Sequence, residues 1–398
     1  MAPDASALNA ALREHAPRVL ATLIRRHGDF ARCEDAVQEA LLEAYLNWED
    51  VPEHPFGWLL TVASRRLTDT LRQDASRAAR EERVFREDVT AAAVSDDDDT
   101  LALLLLCCHP SLAPSAQIPL TLRAFGGLTT EEIAAALLTT PATVAQRIVR
   151  AKQRLRDVEF GLPPEPPIAG VAQVLYLIFN EGHMATSGAA LRRDDLATEA
   201  IRLARELRRM RPREAEVAGL LALMLLHDAR RAARTTDDGS LVPLEEQDRS
   251  AWDGALIAEG IELVEFAVTA RRPPGPYALQ AAIVAVHAEA PTADQTDWPQ
   301  ILALYDLLLA AHPNPVTALN RAVAVGEVHG PAAGLAAVEA LADDPRLGHR
   351  LDAVRGYFLA RAGDASAAAD AYARAAAAAP QDTERRHLAT RAEHLKNT

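Results

Sequence analysis

TTEEIAAALLTTPATVAQRIVRAKQRLR, from Thr129 to Arg156, predicts two short α-helices joined by a tight turn. Thr129, with Glu132 three residues later, has the pattern of a capping box, in which each side chain satisfies the other residue's backbone N–H. Thr140 followed by Pro141 is typical of a second helix start, because threonine caps free N–H groups and proline fits the first helical position. The stretch therefore predicts a capped helix-turn-helix.

The second helix of this stretch separates apolar from basic side chains at helical spacing. The residues predicted to pack inward are Val144, Ile148, Ala151 and Leu155. The residues predicted to bind DNA are Thr143, Gln146, Arg147, Arg150, Lys152 and Arg154. Arg and Gln read base edges through paired hydrogen bonds, and further Arg and Lys hold phosphates in the major groove. An amphipathic surface helix with a solvated basic face is the alternative.

The charge of the whole chain opposes tight DNA binding by this helix alone. Lys and Arg number 42 against 56 Asp and Glu, which gives a formal net charge of −14. A helix that neutralises about five phosphates loses a few hundred-fold in affinity between roughly 50 and 200 mM salt. The helix would act well on DNA if another molecule delivered it, because tethering raises effective concentration into roughly the millimolar range.

Composition predicts an all-α chain with two or three cores. The chain has 398 residues, of which 49% are hydrophobic, and it is rich in the helix formers Ala, Leu, Arg and Glu. Cysteine is too scarce for a disulfide framework and fits a reducing cytoplasm. We predict no signal peptide, because no basic start precedes an apolar run, and no membrane span, because no apolar run approaches about 20 residues.

No residues form a catalytic or metal-binding pattern. Cys107, Cys108 and His109 are adjacent and cannot easily place three ligands on one ion, so we predict buried structural cysteines and no metal. In FNEGH, residues 179–183, Gly182 is predicted to end a helix in the left-handed conformation. Without a phosphate-binding glycine loop or a nucleophile motif, we predict neither an enzyme nor a cofactor.

Proline and charge runs divide the chain into segments. A helical N-terminal domain is predicted for 1–85, an acidic linker for 86–98 and the helix-turn-helix domain for 99–160. A proline-rich linker at 161–169 breaks the helices and precedes a helical extension, 170–398.

Part of this extension, about 300–398, carries a repeat with a period of about 34 residues. Its copies share spacings of 4, 3 and 5: Ile301, Tyr305, Leu308 and Pro313, then Ala333, Ala337, Ala340 and Pro345, then Ala368, Tyr372, Ala375 and Pro380. The period resembles the tetratricopeptide repeat, in which small and aromatic residues pack between two helices and proline ends the unit. Gly356 stands where such helices approach closely. An ordinary helical bundle is the alternative.

Two amphipathic helices are predicted in the N-terminal domain. In CEDAVQEALLEAYLNW, from Cys33, the residues predicted to pack are Val37, Leu41, Ala44, Tyr45 and Trp48, and those predicted to face outward are Asp35, Gln38 and Glu39. In PFGWLLTVASRRLTDTLRQ, from Pro55, the inward set is Phe56, Leu59, Ala63, Leu67 and Leu71, and the outward set is Arg65, Arg66, Asp69 and Arg72.

The segments ARCEDAVQEALLEAY and GWLLTVASRRLTDTLR resemble region 2 of the extracytoplasmic-function sigma factors, and the helix-turn-helix stretch resembles their region 4. CCHPSLAPSAQIPLTLRAFGGLT and VLYLIFNEGH resemble a subgroup with a long C-terminal tetratricopeptide-like extension. Sigma factors bring bacterial RNA polymerase to promoters. The resemblance implies an all-α fold of two small sigma domains followed by a helical-repeat domain.

The resemblance also implies a role for each outward-facing set. Polymerase contacts are implied for Asp35, Gln38 and Glu39, and contacts near the −10 element for Arg65, Arg66 and Arg72. Arg65 stands where relatives commonly carry asparagine, so base capture there is not implied. Contacts to the −35 element are implied for Thr143, Gln146, Arg147 and Arg150. Phe56 and Trp58 are near enough to stack on a base, although core packing is the default for such residues.

The chain is therefore expected to bind core RNA polymerase and promoter DNA in the cytoplasm, at the nucleoid. The acidic linker would thread through the polymerase, or it would be a solvated tether whose aspartates cap the next helix. The extension is expected to regulate the sigma domains, with a peptide or protein partner, or to support them structurally. Two other interpretations stay open: a stand-alone helix-turn-helix regulator with a peptide-sensing repeat domain, and a helical scaffold without DNA binding.

Overall fold

The computed structural model describes residues 5–48, 50–81, 99–137, 139–156, 158–161, 167–183, 194–236 and 240–396. Regular structure in these ranges is helical, apart from an isolated antiparallel bridge between Thr235 and Leu241. The predicted all-α class is confirmed. The acidic linker, 86–98, lies outside the described residues, as do residues 162–166 of the proline-rich segment.

The chain forms two compact units, Met1–Val174 and Leu175–Thr398. The first contains seven complete helices among its described residues: α1 Ala5–His27, α2 Phe30–Asn47, α3 Pro55–Glu81, α4 Thr100–Cys107, α5 Pro114–Gly126, α6 Thr130–Ala136 and α7 Pro141–Leu155. Helix α8, Ile168–His183, crosses the division. None of the helices in the described ranges combines the length and apolar character that a bilayer span requires.

The second unit continues with α9 Asp194–Met210, α10 Ala215–Asp228, α11 Gly254–Ala270, α12 Pro276–Glu289, α13 Trp298–Ala311, α14 Pro315–His329, α15 Pro331–Glu339, α16 His349–Arg361, α17 Ala365–Ala378 and α18 Asp382–Lys396. From α9 to α18 each helix packs against the next one along the chain. An irregular segment with short 3₁₀ turns, residues 229–253, joins α10 to α11.

Helices α1, α2 and α3 pack on one another, and α1 also packs on α4 and α5. All eight residues of α4 are buried, because this helix is apolar on every side. The inward positions Leu59, Ala63 and Leu67 of α3 are at most 1% exposed, as predicted. Tyr45 was predicted to pack but is 56% exposed, so that prediction is wrong. The predicted N-terminal and helix-turn-helix domains thus lie within one compact unit.

Asp99 takes the N-cap position of α4, but its side chain makes no capping hydrogen bond. Its Oδ2 lies 3.0 Å from Nε of Arg25 in α1 instead. The expectation that this aspartate caps the helix is therefore wrong, because an ion pair with a distant helix holds its carboxylate.

The three repeat copies fall on every second helix, α13, α15 and α17. The first and third copies bury most of their predicted positions: Ile301, Leu308, Ala368, Tyr372 and Ala375. In the middle copy Gly334 and Val338 are buried instead, and Ala340 is exposed at the end of the short α15.

A fully buried ring explains the shifted register. Phe358 of α16 lies so close to Gly326 and Gly334 that an added Cβ would come within 2.2 and 2.6 Å of its ring. The ring therefore leaves no room for a side chain at either glycine, and α15 buries Gly334 where the repeat pattern predicted Ala333. Gly356 follows the prediction, since a Cβ there would lie 3.1 Å from the Tyr372 ring.

Gly182 does not end α8 in a left-handed conformation, because the helix continues to His183. An added Cβ at Gly182 would lie 2.3 Å from the backbone N of Ala197 in α9. The predicted left-handed cap is wrong, and close helix packing accounts for the glycine.

Candidate nucleic-acid and protein interfaces

The helix-turn-helix has the predicted caps at both helix starts. The Thr129 N–H donates to Glu132 Oε2 at 2.7 Å, and the Glu132 N–H donates to Thr129 Oγ1 at 3.1 Å, which confirms the capping box. The Thr143 N–H donates to Thr140 Oγ1 at 3.2 Å at the start of α7. The residues predicted to pack inward, Val144, Ile148, Ala151 and Leu155, are all buried. The caps and this apolar face fix the position of α7.

The outward face of α7 carries most of the residues predicted to bind DNA. Gln146, Arg150 and Arg154 are exposed, and Thr143 and Arg147 are half-buried. The Thr143 hydroxyl lies 2.8 Å from that of Thr140. No Asp or Glu occurs in α7, so its exposed face is positive.

Arg147 and Arg150 lie at the centre of this face. Among the described residues, neither Arg147 nor Arg150 takes part in an ion pair or side-chain hydrogen bond. Arg154 Nη1 donates to the Ser111 carbonyl at 3.2 Å. The guanidinium groups of Arg147 and Arg150 are therefore available for phosphates or base edges.

Lys152 faces α2 rather than the outward surface. Its Nζ lies 2.5 Å from Glu34 Oε2 and 3.2 Å from Asp35 Oδ1, and its side chain is 14% exposed. In this arrangement its ammonium group belongs to the contact between α2 and α7, so its predicted DNA contact would require α7 to leave α2.

The partner of Lys152 is a buried carboxylate. The Glu34 side chain is 3% exposed and also accepts from Arg123 Nε at 2.9 Å. Burial raises the pKa of Glu34, but the charges and hydrogen bonds of Lys152 and Arg123 outweigh it and hold that pKa below its ordinary value. Glu34 is therefore an ionised link that ties α2 to α5 and α7.

The predicted polymerase-binding residues lie along α2. Asp35 and Glu39 are exposed and Gln38 is half-buried. Glu39 Oε2 lies 3.6 Å from Arg66 Nε of α3, which connects this surface to the arginines predicted to lie near the −10 element.

Those arginines lie on α3 beside α2. Glu43 accepts from Arg65 at 3.3 Å and from Arg66 at 2.7 Å. Arg72 is exposed about two turns further along α3. Exposed ion pairs of this kind exchange readily for phosphate contacts, since each stabilises by only about 0–1 kcal/mol.

Three apolar side chains on α2 are exposed where the sequence predicted burial or assigned no role. Leu42, Tyr45 and Leu46 are 59%, 56% and 71% exposed, and we call them the outer stripe. Leu42 and Leu46 follow Asp35 by seven and eleven residues, so they share its helix face. Clustered exposed apolar side chains beside polar ones mark a protein contact surface. One feature of the sequence indicated this exposed surface: α2 has more apolar residues than a single buried face can hold.

Phe56 and Trp58, the candidates for base stacking, are both half-buried. The Trp58 ring meets Trp48 edge-on with centroids 5.2 Å apart, and the Arg18 guanidinium lies 4.9 Å from the Phe56 ring centroid. Base stacking by either ring stays a prediction.

The three cysteines are buried and free of disulfides. Burial raises the pKa of the Cys33 and Cys108 thiols to about 12, so both are neutral at physiological pH. Within the described ranges no cluster of three His, Cys, Asp or Glu could hold a metal ion.

Family models match three parts of the chain. Sigma-70 region 2 matches residues 11–77, which include α2 and its outer stripe, and sigma-70 region 4 matches residues 102–155, which include the capped helix-turn-helix. These two matches support a sigma factor. Residues 168–268 of this sigma factor match a family of unknown function (DUF6596), which begins at the start of α8.

Two curated proteins are similar to this sigma factor. Uncharacterized protein R00370 of Rhizobium meliloti (strain 1021) is 38% identical over 411 residues, which cover 98% of this chain and 96% of that protein. ECF RNA polymerase sigma factor SigK of Mycobacterium ulcerans (strain Agy99) is 29% identical over 147 residues, which cover 35% of this chain and 79% of that protein. The similarity to R00370 therefore includes the C-terminal extension.

Proposed function

We propose that this chain is an extracytoplasmic-function sigma factor that binds core RNA polymerase and directs initiation at specific promoters. Region 2 would occupy residues 1–85 and region 4 residues 99–160, joined by the linker 86–98. The observation that carries the proposal is the capped α7, whose Arg147 and Arg150 have no ion pair in the described structure. The similarity to SigK favours the extracytoplasmic-function class.

In this proposal α7 reads the −35 element as duplex. Thr143, Gln146, Arg147 and Arg150 would contact bases and phosphates, with Arg154 on the backbone. Lys152 would join them once α7 leaves Glu34. Arg65, Arg66 and Arg72 of α3 would contact the opened −10 element, where separated strands require a positive surface. The protein would catalyse no reaction itself, and it would act in the cytoplasm at the nucleoid.

Core polymerase would bind α2. Asp35, Gln38 and Glu39 supply polar and charged contacts, and the outer stripe supplies apolar area beside them. Apolar area at the centre with charge at the rim is the usual composition of a protein interface.

Replacing Leu42 and Leu46 together by serine should weaken the binding of core polymerase at least ~10-fold, because each leucine would otherwise bury apolar area worth roughly 1–2 kcal/mol. The dissociation constant can be measured with immobilised core enzyme. The matched control is Leu307→Ser, which changes an exposed leucine of the second unit and should leave the affinity unchanged. Equal affinity of the double variant and the unchanged chain would remove the outer stripe from the proposed interface.

We further propose that the extension, 170–398, is a tetratricopeptide-like domain that regulates the sigma domains through a peptide or protein partner. The pairing of α13, α15 and α17 with the helices that follow them supports this assignment. A chain ending at Leu162 should differ from the full chain in promoter-dependent transcription under at least one condition. Identical transcription by both under all conditions tested would leave the extension with a supporting role only.

A further inference from the structure

The second unit contains a partly open cavity of about 410 Å³ between α10, α12, α13, α14 and the segment 229–253. Leu226, Ile283 and Val323 supply apolar walls, and Trp252, Trp298 and Tyr305 supply aromatic ones. Ligand pockets commonly have such a size and such a mainly apolar lining with a few polar groups.

Two polar donors of residues that line this cavity lack acceptors. Arg230 Nη2 lies 3.2 Å from His227 Nδ1, but Arg230 Nε is shielded from solvent and has no hydrogen-bond partner. The indole Nε1 of Trp252 is in the same condition. A shielded donor without an acceptor costs roughly 1–3 kcal/mol, so two around one cavity indicate a place for acceptor atoms.

A second guanidinium, that of Arg249, lies beside these donors. The Arg249 guanidinium lies 4.7 Å from the Trp252 ring centroid, and its Nη1 donates to the carbonyls of His287 and Ala290. Burial, together with the charge of Arg249, lowers the pKa of Arg230 to about 10. Burial, together with Arg230 and Arg249, lowers the pKa of His287 to about 4, so this histidine is neutral.

Among the described residues no carboxylate lines this cavity, although Glu245, Asp294 and Glu327 line a neighbouring cavity with Arg249, and the two cavities share His287. Burial, followed by the bases Arg230, Arg234 and His287, holds the pKa of His227 well below its ordinary value. Asp228, the acidic residue beside His227 in sequence, pairs with Arg231. A cation would be repelled from such a cavity, whereas an anion would supply the missing charge and the missing acceptors.

We propose that this cavity binds a small organic anion, with its carboxylate or phosphate group at Arg230 and Trp252 and its apolar body against Trp298 and Tyr305. The site lies entirely within the second unit and does not depend on the sigma function. It gives the extension a small-molecule ligand in addition to any protein partner.

Titration calorimetry on the full chain tests the proposal with three probes of one shape: 2-naphthoate, 2-naphthyl phosphate and the neutral 2-naphthamide. At least one anion should bind once per chain with a dissociation constant below ~1 mM, and the amide should bind at least ~10-fold more weakly. The stronger of the two anions identifies the preferred headgroup. The absence of binding by both anions, or equal binding by the amide, would overturn the proposal.

Two variants locate the binding. Arg230→Gln should weaken the preferred anion at least ~10-fold, because it removes a charged donor. The control Arg271→Gln removes an exposed arginine of the same unit and should bind as the unchanged chain does. Trp252→Phe keeps an aromatic ring but removes the indole donor, so it should also weaken binding of the anion. It serves as the second test if circular dichroism shows that Arg230→Gln does not fold. Unchanged anion affinity in a folded Arg230→Gln protein, or in Trp252→Phe if Arg230→Gln does not fold, would overturn the site.

Discussion

Replacing Arg147 and Arg150 together by alanine should lower promoter-dependent transcription at least about 100-fold. Each arginine in contact with a base edge contributes roughly 1–3 kcal/mol, and a phosphate contact adds salt-dependent affinity. The two residues lie about one turn apart on α7, and neither is committed to an ion pair in the described structure. Their loss should therefore act on DNA binding and leave the fold intact.

The assay is multi-round transcription with core polymerase at several salt concentrations, alongside the thermal unfolding of each variant. Arg156→Ala is the matched control, since Arg156 is exposed at the C-terminal end of α7 beyond the predicted contacts. It should stay within about two-fold of the unchanged chain. If the Arg147 and Arg150 double variant transcribes as the control does, α7 is not the promoter reader, and the scaffold interpretation gains support.

Replacing Glu34 by alanine should destabilise the first unit by about 3–5 kcal/mol. The change leaves two shielded cations, Lys152 and Arg123, without their shared carboxylate, and a broken buried ion pair costs that order of free energy. Calorimetric unfolding should register it in the transition of the first unit. Asp35→Ala is the control, because Asp35 contacts the same Lys152 Nζ but is 72% exposed, so its loss should cost less than ~1 kcal/mol.

The contribution of Glu34 should depend on pH in one direction. Its pKa is lower in the folded unit than the unfolded value of about 4.3, so the ionised pair stabilises fully above that value. The stabilisation is lost as the pH falls through the lowered pKa. The difference in unfolding free energy between the unchanged chain and Glu34→Ala should therefore be constant near neutrality and shrink in acid. A Glu34→Ala protein as stable as Asp35→Ala at pH 7 would contradict the link between α2 and α7.

Local patterns in the sequence were sufficient for the features that local physics determines. The capping box at Thr129 and the buried face of α7 involve residues within a few positions of one another, so spacing alone predicts them. The same holds for the buried positions of α3. Their geometry follows from helix periodicity before any tertiary contact forms.

The wrong predictions share a dependence on distant partners. Tyr45 fits an apolar face of α2, but no local pattern tells which of two apolar faces the rest of the unit covers. Asp99 pairs with Arg25, which lies far away along the chain, instead of capping the helix that follows it. The register of the middle repeat shifted because a ring from the following helix, Phe358, occupies the space at Gly334.

Sequence patterns could not predict the cavity of the second unit either. Arg230 and Trp252 lie on an irregular segment, and His287 lies on α12, so only the fold brings them together. None of them belongs to a motif with fixed spacing. Buried donors without acceptors can be recognised only once every nearby partner is known.

Transcription in vitro with purified core RNA polymerase tests the central claim most directly. The template is fragmented genomic DNA from the source organism, no other sigma factor is present, and the transcripts are sequenced. We expect that adding the chain produces transcripts from discrete start sites that share sequences near −35 and −10, which core polymerase alone does not produce. Two results together would contradict the sigma-factor proposal and indicate a stand-alone regulator. Core polymerase would initiate no differently with the chain present, and the isolated chain would bind promoter duplex tightly at physiological salt.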